Sequence, residues 1–306
     1  MIHLLSRSIG FFMNVEILER SVLAGCRSFY GEFPEIGDYT SAARAVRGLR
    51  TARAEFVAVS PRIQKPGEER FLEKMLESKP DAVLVRNLAA LKFFQNRHIP
   101  VIADFSLNAV NDLSATQLVE WGADRMTGPY DLNAAGFSRL LRWFEPNRLE
   151  LIVHGRVPMF FAEHCLWAGN MVDSGRACGR LCRNRPLVLQ DRFGYEHPVA
   201  ADPFCRNIVS YADVQTAAEY LPDWVERGLR HLRIEMDYGP DLDELYGNAE
   251  RVEPALITIY RELACGEIWT SSAMEQLDKL ASLHPRSTWS YGMPRREEKP
   301  FRKERF

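Results

Sequence analysis

Residues 81–106 read DAVLVRNLAALKFFQNRHIPVIADFS and contain one complete strand, helix and strand unit. The two apolar runs, AVLV and PVIA, are continuous rather than alternating, which is typical of strands buried on both faces of a parallel sheet. Between them, residues 88–96 have the apolar spacing of a helix. A helix that connects two buried strands forms a βαβ unit, so this segment predicts an α/β fold.

The same alternation continues on both sides of this unit. Further strand-like runs occur at residues 55–60, 123–129, 148–155 and 231–236, and helix-period segments at residues 39–49, 68–78, 109–121, 132–144, 211–227 and 248–263. With one more strand predicted at residues 15–23, the pattern provides about seven strands. We therefore predict a (β/α)8, TIM-barrel-like fold, complete or incomplete, with an open doubly wound sheet as the alternative.

Composition places the 306-residue chain among ordinary globular proteins, since 46% of its residues are hydrophobic and 26% are charged. We expect a divergent N-terminal part of the barrel at 1–54, the barrel proper at 55–275 with a Cys-rich insertion at 155–210, and a flexible charged tail at 286–306. The net charge of −2 argues against a general nucleic-acid binder, so any RNA contact needs a local patch. No apolar run is long enough to cross a membrane, and a cytoplasmic protein is expected.

Four of the six cysteines, Cys165, Cys178, Cys182 and Cys205, follow the pattern C-x12-C-x3-C-x22-C in a segment rich in glycine and proline. Thiolates bind soft metals strongly, and in a reducing compartment such a group more often binds metal than forms two disulfides. Structural zinc usually has two close pairs of cysteines, whereas only Cys178 and Cys182 are close here. The spacing therefore favours a cuboidal iron–sulfur cluster, with zinc as the alternative.

Polar residues follow nearly every predicted strand, and barrel active sites are built at the carboxyl ends of strands. The predicted catalytic residues are Asp104, His154 and Glu235, and the predicted substrate-binding residues are Arg86, Asn87, Asn108, Asp131 and Asn133. Asp and Asn at such positions also cap the helix that follows. Arg86 and Glu235 lie at the ends of apolar runs, where a charge is costly unless it meets a partner or ligand. Cys26 and Cys265 are predicted to be small buried hydrophobes.

Three motifs, HGRVPMFFAEHC (154–165), CGRLCRN (178–184) and RFGYEHPVAADPFCRN (192–207), resemble peptidase family U32, also called the collagenase-like proteases. The strand LRHLRIEM (229–236) fits the family's strand that ends in Glu. The resemblance covers residues 55–263 and implies a TIM-barrel-like fold with a 4Fe-4S cluster on Cys165, Cys178, Cys182 and Cys205. It also implies an enzyme for the oxygen-independent hydroxylation of a tRNA or rRNA base, or of a small-molecule substrate.

Two other functions stay open. One is a collagenase-like peptidase, for which the nearest feature is FAEHC; adjacent residues such as His164 and Cys165 rarely have the geometry of a nucleophile and its base. The other is a non-catalytic subunit in which the metal only fastens the loop and RNA or a partner protein binds. An iron–sulfur dependent hydroxylase is the preferred hypothesis.

Overall fold

The computed structural model describes residues 1–6, 12–50, 52–130, 132–171, 178–183, 185, 187–202, 204–236, 252–282 and 289–290. The predicted substrate-binding residue Asp131 lies outside the described residues. Of the predicted tail at 286–306, only residues 289–290 are described, and they form a short strand. Within these ranges, none of the helices combines the length and the apolar content that crossing a bilayer requires.

The strands in chain order are β1 (Ile2–Ser6), β2 (Cys26–Gly31), β3 (Glu55–Val59), β4 (Ala82–Val85), β5 (Val101–Ala103), β6 (Arg125–Thr127), β7 (Leu149–Ala162), β8 (Leu187–Gln190), β9 (Glu196–Ala201), β10 (Asn207–Thr216), β11 (His231–Met236) and β12 (Trp289–Ser290). The helices are α1 (Val15–Ala24), α2 (Ile36–Arg47), α3 (Glu69–Glu77), α4 (Leu88–Phe94), α5 (Asp112–Glu120), α6 (Ala134–Trp143), α7 (Leu166–Met171), α8 (Leu221–Glu226), α9 (Val252–Cys265) and α10 (Thr270–Ser282).

Strands β1 to β7 pair in parallel, each with the next, and β11 closes the ring by pairing in parallel with both β7 and β1. The predicted (β/α)8 barrel is therefore confirmed, and it is closed by eight strands. Residues 1–54 supply two of these strands, so the N-terminal part completes the barrel.

The predicted strand at residues 15–23 is wrong, because this segment is helix α1. Its start is capped by the Asn14 side chain, which accepts a hydrogen bond from the Ile17 amide, and its end by Gly25 in the left-handed conformation. Ile17, Leu18 and Val22 form its buried face. The true strands, β1 and β2, lie on either side and are too short and too buried to show an alternating pattern.

The predicted helix at residues 211–227 is also wrong over its first half. Strand β10 occupies that part, and only α8 (Leu221–Glu226) is helical. The reason is tertiary pairing: β7 continues beyond the barrel wall, and β10 pairs antiparallel with it. Strands β9 and β8 extend this sheet as a hairpin. The Cys-rich insertion is thus built on an antiparallel sheet that grows out of the carboxyl end of one barrel strand.

Successive residues of each barrel strand alternate between the barrel interior and the surrounding helices. In β4, Val83 and Val85 belong to the large core under the helices, whereas Ala82 and Leu84 belong to a small interior cluster. This interior cluster contains only Leu5, Tyr30, Val57, Val59, Ala82, Leu84 and Ile102. Beside this cluster, the described part of the interior contains buried polar and charged side chains, among them His3, Glu150 and Arg233.

Gly31 at the end of β2 tests the packing between barrel and helices. A Cβ there would lie 2.6 Å from the Phe33 ring and 2.9 Å from the Phe56 ring, both fully buried. We expect Gly31→Ala to lower the free energy of unfolding by about 1–3 kcal/mol, as overpacked cores do. The matched control is Gly37→Ala in α2, where nothing lies within 4 Å and helix propensity favours alanine. Urea unfolding measures both, and equal stability of the two variants would contradict this packing.

Candidate functional site

Arg233 of β11 lies at the centre of the barrel and pairs with three carboxylates. Its NH2 donates to Asp104 Oδ1 at 2.6 Å, while NH1 lies 3.1 Å from Glu150 Oε1 and Nε lies 3.0 Å from Glu235 Oε1. The Arg233 side chain is completely buried. It organises a set of buried charged residues that we call the axial cluster: Glu32, Arg86, Asp104, Glu150, Arg233 and Glu235.

The half of the axial cluster nearest the carboxyl ends of the strands is built around Arg86. Its Nε donates to Asp104 Oδ2 at 2.8 Å and its NH1 to Glu32 Oε1 at 2.6 Å. The Arg86 backbone is held by the hydroxyls of Ser60 and Ser106. Asp104 therefore lies between two guanidinium groups. Burial alone would raise the pKa of Asp104, but the charges of Arg233 and Arg86 outweigh it and hold this pKa below its ordinary value.

The opposite half of the cluster is built around Glu150, the second residue of β7. Its Oε2 accepts hydrogen bonds from the Tyr30 hydroxyl at 2.8 Å and from Arg125 Nε at 2.9 Å. Burial would raise the pKa of Glu150, but Arg125 and Arg233 together lower it. Below this point His3 and His231 share a hydrogen bond of 2.9 Å between their rings. Ion pairs thus extend along the barrel axis where most barrels have layers of branched apolar side chains.

Aromatic rings surround the mouth of the barrel above this cluster. The Tyr130 hydroxyl donates to Glu235 Oε2 at 2.9 Å, and the Tyr130 ring packs against Phe105 at 4.8 Å between centroids. The Arg62 guanidinium lies between Phe105 and Phe161, 5.3 and 4.1 Å from the ring centroids. A cavity of about 40 Å³ lies on the other side of Tyr130, toward the helix residues Phe137 and Trp224 and outside the mouth. This mouth therefore offers flat apolar surfaces next to a buried carboxylate.

The four cysteines of the insertion have free thiols, and these lie close enough to influence one another's ionisation. Burial raises the pKa of Cys182, and Cys205, Cys165 and Cys178 raise it further. Burial also raises the pKa of Cys205, while Arg180 opposes the shift. Within the part of the chain that the structure describes, no three His, Cys, Asp or Glu side chains are grouped so that they could hold a metal ion.

Arg206, the neighbour of Cys205, fastens the cysteine segment to the loop after β3. Its side chain is 2% exposed and pairs with Glu68 and Glu163, both at 2.9 Å, and its NH1 donates to the Ile63 carbonyl at 2.9 Å. Asp202 Oδ1 accepts from the Arg206 amide and shapes the turn that contains Cys205. Burial raises the pKa of Asp202, and Glu32 contributes to the shift. Because the loop after β3 lies at the carboxyl end of the barrel, the cysteine segment that Arg206 fastens to it lies at that end too.

The other predicted site residues lie in different environments. His154 is buried apart from the axial cluster: its Nδ1 is 3.2 Å from the Tyr260 hydroxyl, and burial lowers its pKa to about 3. Asn87 and Asn133 cap helices α4 and α6 by accepting from backbone amides at 2.8 Å. Asn108 ends a short 3-10 turn in the left-handed conformation.

Of the two cysteines outside the insertion, Cys26 is buried as predicted, but Cys265 is exposed. The prediction for Cys265 is wrong because this residue ends α9 on the face that points to solvent.

Several site residues are missing from the sequence prediction: Tyr30, Glu32, Arg125, Glu150 and Arg233. One signal was available in β11, where His231, Arg233 and Glu235 occupy alternate positions and so share one face of the strand. Alternate polar residues in a buried strand indicate a polar barrel interior. Glu32 follows a strand that the pattern did not reveal.

A family model described as Peptidase family U32 matches residues 61–299. Among solved structures, the protein described as the U32 peptidase Mk0906 is 13% identical, with a TM-score of 0.46 over 78% of this chain and 93% of that one. An uncharacterized B. cereus protein is 8% identical, with a TM-score of 0.41 over 78% of this chain and 61% of that one. No curated protein matches. The family model matches most of the chain.

Replacing Asp104 by Asn tests the axial cluster. The change leaves Arg86 and Arg233 facing each other without the charge between them, and we expect the free energy of unfolding at pH 7 to fall by about 3–5 kcal/mol. The pKa of Asp104 is lower in the folded protein than in the unfolded chain, where it is about 4. The stability that the Asp104 carboxylate contributes is therefore fully present above about pH 4 and is lost as the pH falls through the folded pKa.

Urea unfolding between neutral and acidic pH measures the free energies of unfolding of the wild type and of Asp104→Asn. The difference between these two free energies should narrow below about pH 4. Asp223→Asn is the control, because its carboxylate is about half exposed and pairs with Arg227 on the surface, where water screens the interaction. An equal decrease in the free energy of unfolding in Asp104→Asn and Asp223→Asn would contradict the role of Asp104.

Proposed function

The chain belongs to peptidase family U32, and on that premise we propose that it is an iron–sulfur dependent enzyme that hydroxylates an RNA base without O2. The four thiols of Cys165, Cys178, Cys182 and Cys205 would hold a 4Fe-4S cluster. The base would enter the mouth of the barrel, between the iron–sulfur cluster and the buried charged residues of the axial cluster.

The observation that supports this proposal is that all four cysteines of the insertion are free and half-buried, with Cys165 and Cys182 packed against the same small apolar cluster. Along the sequence, Cys178 and Cys182 form a single close pair, and Cys165 and Cys205 stand apart from it. This spacing suits a cuboidal cluster better than structural zinc, which usually takes two close pairs of cysteines.

The reaction fixes what else must bind. Converting base–H into base–OH without O2 requires either a hydroxylated co-substrate, R–OH, that leaves as R–H, or water with two electrons and two protons withdrawn. When bound, an iron–sulfur cluster supplies an electron-transfer or Lewis-acid centre. The chain's own residues must hold the base, exclude water and move protons.

Glu235 and Tyr130 are the groups best placed for proton transfer, since they share a hydrogen bond of 2.9 Å at the mouth. Asp104 is held as a carboxylate between Arg86 and Arg233, so we assign it a positioning role. His154 stays neutral at physiological pH because its pKa is about 3, and it lies against Tyr260. Arg86 would fix Glu32 and Asp104 at the floor of the site.

Two alternatives have specific support. The family name favours a collagenase-like peptidase. The Arg206 ion pairs that fasten the cysteine segment favour a subunit in which the metal only stabilises a surface for RNA or a protein partner. Metal content and activity separate these functions.

Cys178→Ala tests the ligand assignment. Protein purified without oxygen should contain about four irons and four sulfides per chain and show a brown chromophore. Cys178→Ala should lose both, because one of four ligands is removed, whereas Cys265→Ala should keep both, because Cys265 is exposed and outside the cluster. One zinc without sulfide in the wild type would favour the structural metal, and a full cluster in Cys178→Ala would refute the assignment.

Glu235→Gln tests the chemistry. Each variant is returned to cells from which the gene has been deleted, and the nucleosides of their RNA are analysed by mass spectrometry. Cells that carry the wild type should contain a hydroxylated base, also during anaerobic growth. Glu235→Gln should reduce it at least about a hundredfold, the usual contribution of proton transfer, while keeping its iron. Glu226→Gln, on the surface of α8, is the control. Cleavage of casein or gelatin by iron-free protein, with no change in any nucleoside, would establish the peptidase instead.

A further inference from the structure

Two aromatic side chains are strongly exposed at the end of the hairpin formed by β8 and β9. Phe193 is 71% exposed and Tyr195 is 47% exposed, and both belong to the five-residue turn Asp191–Tyr195, which we call the hairpin tip. Leu189 beside it is 43% exposed. Large apolar side chains that are clustered on a surface mark a binding site more often than single ones do.

The turn of the hairpin tip is held by hydrogen bonds to Asp191. Its Oδ1 accepts hydrogen bonds from the amides of Phe193 at 2.8 Å and Tyr195 at 3.0 Å, and its Oδ2 lies 3.5 Å from His197 Nε2. The Asp191 amide donates to the Tyr195 carbonyl, and Gly194 takes the left-handed conformation that the turn needs. Both aromatic side chains are thus attached to a backbone that is already ordered, which lowers the entropic cost of binding.

The tip also presents a cation. The Arg192 guanidinium lies over the Phe193 ring, 4.7 Å from its centroid, and Arg192 is exposed. The acidic Asp191 is engaged by the turn, and the exposed Glu196 follows the tip directly, where it pairs with Gln190 across the hairpin. An aromatic ring next to a guanidinium suits a nucleobase with its phosphate, since the base stacks and the phosphate pairs. The aromatic ring can stack on any base and the guanidinium contacts only the phosphate, so the tip would bind without preference for a particular base.

We infer that the hairpin tip is a stacking platform for single-stranded RNA, with Phe193 and Tyr195 as the stacking rings and Arg192 as the phosphate contact. The inference rests on the proposed function, since it supplies the RNA-binding patch that the net charge of −2 does not provide. Strand β9 runs from the tip to Ala201, which pairs with Asn207 two residues after Cys205. This is roughly 17 Å along the strand. The platform would therefore hold nucleotides that flank the target base.

The test is the affinity of anaerobically purified holoprotein for a labelled 12-nucleotide single-stranded RNA, measured by fluorescence anisotropy. Phe193→Ala should weaken binding about 5- to 150-fold, the usual effect of losing one base stack. Phe193→Trp should retain affinity, because it keeps an aromatic face. Trp269→Ala is the control, since Trp269 is 84% exposed but lies between α9 and α10, and its affinity should not change.

Other outcomes overturn the inference. Unchanged RNA affinity in Phe193→Ala, or a wild type that does not bind the RNA, rejects the platform. If the wild type is a dimer in sedimentation analysis and Phe193→Ala is a monomer with equal RNA affinity, the tip is a protein interface. Iron and sulfide content is measured on the same samples to keep the two proposals separate. A wild type with a full cluster, in which Phe193→Ala does not change RNA affinity, rejects only the platform. A wild type without the cluster rejects the proposed function.

Discussion

The ion pairs of Arg233 with Asp104, Glu150 and Glu235 are the interaction on which the barrel interior depends. A guanidinium that is fully removed from water costs several kcal/mol unless carboxylates surround it, and these carboxylates cost as much without it. Each group is therefore tolerated only because strands β5, β7 and β11 bring the others within contact distance. The pairs of Arg233 with Asp104 and Glu150 join different strands and form only when the barrel closes, so closure and these ion pairs are mutually dependent.

This arrangement is expensive compared with an apolar core of the same volume. Among the described residues, seven form the apolar interior cluster, and charged side chains occupy space that branched aliphatic side chains fill in most barrels. Interiors of this kind are retained where function needs fixed charges or one defined arrangement. The guanidinium groups of Arg86 and Arg233 orient Asp104, and the Tyr130 hydroxyl orients Glu235. The carboxyl end of the barrel therefore presents preorganised polar groups.

A second feature that shapes the structure is the extension of β7 beyond the barrel wall. Strands β10, β9 and β8 add to this extension and carry the cysteines at one end of the sheet and the hairpin tip at the other. Arg206 then fastens the cysteine end to the loop after β3. One strand thereby links a candidate metal centre, a candidate substrate mouth and an exposed aromatic turn in a single rigid sheet.

The sequence by itself determined the α/β class, the strands from Glu55 to Gly155, the polar strand ends Arg86, Asp104 and Glu235, and the grouping of four cysteines. These features follow from local patterns, because a buried strand or a spaced set of thiols is visible in neighbouring residues. It did not reveal β1, β2 and β10, whose conformation is decided by the strands they pair with.

Only the tertiary structure decided which charges meet. Arg233 and Asp104 are 129 residues apart, and Tyr30 and Glu150 are 120 residues apart. A charge in an apolar run indicates that a partner exists but not which one. The partner is fixed by closure of the barrel, since only closure gives each strand its neighbours and gives the eight carboxyl ends a common mouth.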